Sequence, residues 1–72
     1  MVKVGDKVWF RDYSGVLMAI VAAVSPTGNS ASLAVLTRAG QWLGRPDSPR
    51  YDREKYGMPA SGMWSPEEKD LL

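Results

Sequence analysis

The chain has 72 residues, no cysteine, no histidine and a formal net charge of +1. A chain this short is one domain, and it buries only about 60% of the surface its unfolded form exposes. The missing side chains exclude disulfides, thiolate metal sites, and the commonest metal ligand and general base; the near-neutral charge argues against a strongly basic nucleic-acid binder and against an acidic mimic of DNA.

In chain order, Val2 to Val4 reads as a short first strand, and Gly5-Asp6 as a turn. Lys7 to Tyr13 alternates with period two, with Val8 and Phe10 on one face and Trp9, Arg11 and Tyr13 on the other. After a Ser14-Gly15 turn comes the longest apolar run, Val16 to Val24. Its nine residues fall short of the about 20 a membrane-spanning helix needs. Asp6 and Asp12 stand where a signal peptide would carry positive charge, so none is expected. The β-branched content predicts a strand. Ser25-Pro26-Thr27-Gly28-Asn29 is a hairpin signal, and Ser30 to Arg38 is the returning strand. Ala39-Gly40-Gln41 turns again, and Trp42-Leu43 begins a short strand.

Composition changes near Gly44, where four prolines follow and aliphatics thin out. The chain therefore divides into a strand-rich core at 1–44, a Pro/Gly-rich loop wrapping it at 45–64, and a short capped helix at 65–72. Residues 48–57 read as loop, or loop with one helical turn. Ser65-Pro66-Glu67-Glu68 reads as a capping box, so a helix is expected from Pro66 to about Leu71. The expected fold is all-β, a small barrel of about five short strands with a short C-terminal helix.

No catalytic, cofactor or metal residues are expected. Serines are present, but no histidine activates one and no cysteine replaces one. The acids fall in turns and at the terminus, without calcium-loop spacing. No phosphate-cradling glycine loop is present. A binding module is expected rather than an enzyme.

Two surfaces stand out as binding candidates. Trp9, Tyr13 and Trp42, with Arg11 between the first two, have the aromatic-plus-arginine composition of interface hot spots. The Val16–Val24 run has two apolar rows: Val16, Met18, Ile20, Ala22 and Val24 alternate with Leu17, Ala19, Val21 and Ala23. A small barrel has one interior, so one row is covered by the loops after Gly44, meets a partner or stays exposed. The Leu17, Ala19, Val21 and Ala23 row is the expected association surface, for self-association or docking to a larger assembly. The alternative is nucleic-acid or nucleotide binding, with bases on the aromatics and phosphates on Arg38, Arg45, Arg50, Arg53 and Lys55. Asp47, Asp52 and Glu54 dilute that basic stretch.

The segments Val4-Gly5-Asp6-Lys7-Val8, Ala19-Ile20-Val21, Leu33-Ala34-Val35-Leu36, Tyr51-Asp52 and Gly62-Met63-Trp64-Ser65-Pro66-Glu67 resemble a group of small SH3-like proteins encoded by tailed phages and prophages. Members tend to end in a Gly-x-Trp-x-(Trp)-Pro-Glu signature, in which only Trp64 stands here. Ala22 and Ala23 replace residues that are usually polar in similar sequences. The resemblance implies an SH3-like barrel of phage origin more than any activity. The expected role is that of a module that docks on a protein: a virion protein such as a capsid, or a host protein. The expected location is the bacterial cytoplasm or the virion. No membrane partner is expected.

Overall fold

The computed structural model describes residues 2–72 as one five-stranded antiparallel sheet in the order β4-β3-β2-β1-β5. The strands are β1 (Lys7–Asp12), β2 (Gly15–Val24), β3 (Ser30–Leu36), β4 (Trp42–Pro49) and β5 (Trp64–Ser65). A single-turn helix, α1 (Arg53–Tyr56), and a terminal 3₁₀ turn (Glu68–Leu71) complete it.

The all-β class follows from the alternating strands and tight turns. The β1–β2 hairpin turns at Tyr13-Ser14, and Gly15 follows at φ 144°, a value side-chain-bearing residues rarely adopt. Val2 to Val4 is not a strand. The Asp6 carboxylate takes the Lys3 N–H at 3.0 Å, and the Asp6 N–H reaches the Lys3 carbonyl, so this segment closes into a turn.

β2 settles which apolar row is core. Its first half pairs with β1 so that Val8 lies opposite Ala19 and Phe10 opposite Leu17. A bulge follows Val21, so Val24 returns to the core side while Ala22 and Ala23 are left exposed. Val8, Phe10, Ala19, Val21, Ala31, Leu33, Val35 and Trp64 form the core, with Val2, Leu17 and Val24 packed against it.

β4 is longer than expected and runs through residues expected to be loop. Pro46 and Pro49 fit because the strand is an edge, where a missing N–H breaks no ladder bond. A second register shift, between the partners of Ala31 and Leu33, accompanies Asp47 at φ 51°. Ser48 is thereby turned inward, and its carbonyl accepts the Trp64 indole N–H at 2.8 Å. Beyond the strand, Arg50 bridges Trp64, and the Tyr51 N–H reaches the Trp64 carbonyl at 2.8 Å. The two ends of the sheet approach each other through these contacts without a continuous ladder. The expected closed barrel is therefore not reached.

The terminal element is also corrected. Ser65 belongs to β5, so it does not cap a helix at Pro66. Its hydroxyl accepts the Glu67 N–H at 3.2 Å and donates to Asp70 at 3.0 Å. The four residues that follow form only the tighter i→i+3 turn, with Asp70 N–H on the Glu67 carbonyl.

Candidate functional site

The sheet has a second face, opposite the core. β1 places Trp9 opposite Met18. Ala19 lies opposite Val35, so Met18 sits beside Leu36, and Leu36 lies opposite Trp42. One row, Trp9–Met18–Leu36–Trp42, thus crosses four strands, about 14 Å at the usual strand spacing. The adjacent row is Lys7–Ile20–Ala34–Gly44. The two rows carry one charge between them, and the Lys7 ammonium lies 4.8 Å from the Trp9 ring centroid. Trp42 is 55% exposed, while Trp9, Met18, Ile20 and Leu36 are half-buried.

Part of this face is covered by the chain itself. Ser65 lies opposite Trp9 and is bonded to Asp70. Arg11, on the same face as Trp9, donates from its guanidinium to the Leu71 carbonyl. The terminal turn packs on β1 and β5, and Leu71 is fully buried. The cover therefore sits over the β5 side; across the rest of the face Met18, Ile20 and Leu36 are half-buried and Trp42 is exposed.

The residues expected to meet a partner separate into groups. Trp9 and Trp42 share the second face. Arg11 is engaged with the terminal turn. Tyr13 projects from the β1–β2 turn at 95% exposure. Below it, Asp12 accepts the Ser14 hydroxyl and N–H, each at 2.8 Å. The Ser14 hydroxyl bond holds the Asp12 carboxyl below its ordinary value, against a smaller opposing effect of burial and with help from the Ser14 N–H and Arg38. The expected association row is corrected: Ala19 and Val21 are 0% and 1% exposed, and Leu17 packs beside them, so these three line this chain's own core. Ala23 alone is exposed, at the bulge. That bulge cannot be seen in an unbroken apolar run.

The basic residues also divide. Arg38 donates to the Ser14 carbonyl at 3.0 Å and steadies the β1–β2 turn. Arg45 lies over the Phe10 ring, 5.7 Å from its centroid. Arg50, Arg53 and Lys55 converge on one groove of about 870 Å³, joined by Lys69, Tyr51 and Tyr56. Sequence reasoning singled out neither Met18 and Leu36 on the second face nor Lys69, Tyr51 and Tyr56 in the groove as binding residues. The first two become visible only when β2 is registered against β1 and β3. Lys69 reaches the groove only because the terminal turn folds back on β5.

Among the described residues no group of three or more Asp and Glu side chains is placed to hold a metal ion, and no helix is long and apolar enough to cross a membrane. No family model, curated protein or solved structure matches the chain.

Proposed function

We propose that this chain is a non-catalytic binding module of SH3-like, phage type that docks on a protein surface through the second face of its sheet. The partner is a virion protein, such as a capsid, or a host protein. The location is then the virion or the bacterial cytoplasm.

The observation that supports this reading is the Trp9–Met18–Leu36–Trp42 row. Tryptophan and methionine are enriched at interface centres, and charged residues are depleted there. The row has that composition and crosses four strands. Docking also supplies stability that a 72-residue chain without disulfide or metal has little of by itself.

The test is affinity purification of the tagged chain from its native setting, wild type beside Met18→Glu and Trp42→Glu. A protein captured by the wild type and lost by both variants, with circular dichroism unchanged, is the expected result. Retention of every captured protein by both variants counts against the second face.

A further inference from the structure

The groove between the β2–β3 hairpin, α1 and the terminal turn shares no residue with the two second-face rows and has different chemistry. Among its lining side chains are four cations, Arg50, Arg53, Lys55 and Lys69, against two side-chain carboxylates, Asp52 and Asp70. Both carboxylates are turned to donors of the chain itself. Asp52 Oδ1 accepts the Glu54 N–H at 3.0 Å, and Asp70 Oδ2 accepts the Ser65 hydroxyl at 3.0 Å. Among the described residues the one ion pair is Lys69 with Glu67, at 3.3 Å. Arg50, Arg53 and Lys55 therefore have no carboxylate partner, and they stand on one concave surface.

Two aromatic rings complete the groove. The Tyr51 hydroxyl donates to the Gly57 carbonyl, which fixes its ring. Tyr56 is 36% exposed, with the Lys55 ammonium 5.3 Å from its ring centroid. The Arg50 guanidinium lies over the buried Trp64 ring, 5.7 Å from its centroid. An exposed aromatic beside unpaired cations is the combination that takes a base and its phosphates together. Three unpaired cations suit a short anion, not a long duplex.

We propose that this groove binds a short single-stranded nucleic-acid segment, with phosphates on Arg53 and Lys55 and a base on Tyr56. Neutralising two or three phosphates gives a log–log salt slope of about −0.7 for each. Affinity should then fall about 7- to 18-fold between 50 and 200 mM salt.

The test is fluorescence anisotropy of a labelled eight-nucleotide oligothymidylate titrated with the full chain at those two salt concentrations. Expected are measurable binding at 50 mM and the stated fall at 200 mM. The double variant Arg53→Gln, Lys55→Gln should lose the binding while circular dichroism stays unchanged, since both side chains are exposed. Lys55→Gln alone should weaken it, which keeps the test decisive if the double variant fails to fold. Tyr56→Ala should weaken oligothymidylate about fivefold or more and leave tripolyphosphate binding as it was. Four results overturn the proposal: no binding at 50 mM salt; full binding by the charge variants; no effect of Tyr56→Ala; or polyglutamate binding as tight as oligothymidylate. The last would assign the groove to an acidic protein partner.

Discussion

Trp64 is fully buried, and its indole N–H donates to the Ser48 carbonyl on a strand at the far edge of the sheet. One side chain therefore fills the core and ties β4 to β5. Trp64→Ala should cost about 3–5 kcal/mol, a large part of the 5–15 kcal/mol that holds a typical domain together. Thermal or urea unfolding measures it, and a wild-type midpoint in the variant would show the ring does not hold the ends together. At the β1–β2 turn, Asp12 makes a second residue-scale prediction. Its folded pKa is lowered, so its contribution to stability is present above the unfolded value and is lost as pH falls through the folded one. The turn should loosen below about pH 4, and Asp12→Asn should remove that pH dependence. An Asp12 carboxyl titrating by NMR at or above the ordinary aspartate value would contradict the Ser14 bond.

At the scale of elements, the terminal 3₁₀ turn is held by two side chains, Ser65 on Asp70 and Arg11 on the Leu71 carbonyl. Ser65→Ala removes an acceptor and a donor from a buried site and should cost about 1–2 kcal/mol. Amide exchange at Asp70 and Leu71 should rise in the same variant, and unchanged exchange would mean that Leu71 burial alone anchors the turn. This turn also shows how far the residues speak for themselves. Ser65-Pro66-Glu67-Glu68 marks a chain that stops and turns, but local pattern cannot say that Ser65 is already paired with Trp9 in a sheet. The β1 alternation and the Pro/Gly hairpin were legible because each is a local rule. The bulge after Val21 and the length of β4 were not, because both depend on a neighbouring strand. The site divides the same way. Trp9 and Trp42 were identifiable by type, while Met18 and Leu36 join them only through register across four strands.

For the molecule as a whole, the question is whether the second face is open or is merely a second core. The accessible surface of 4773 Å² exceeds the about 4,400 Å² expected for a compact monomer of 7.9 kDa. The dimensions of 33 × 26 × 17 Å agree, since a thin molecule keeps one sheet face largely in contact with solvent. Three substitutions on β2 separate the alternatives. Val21→Glu places a charge in the core without a partner and should unfold the domain. Ala23→Glu falls at the exposed bulge and should change neither fold nor association. Met18→Glu puts the same charge in the middle of the Trp9–Met18–Leu36–Trp42 row and should leave the fold intact. If the wild type sediments as more than a monomer at high concentration, Met18→Glu should return it to a monomer. The measurement is sedimentation velocity with circular dichroism on the three variants. The introduced charge is the same in all three, and strand propensity differs by only about 1 kcal/mol among the residues replaced, so a large difference among them reports the surroundings of each position. Loss of the folded signal in Met18→Glu would mean that the chain already buries this row, and docking would then have to use the Tyr13 end of the sheet.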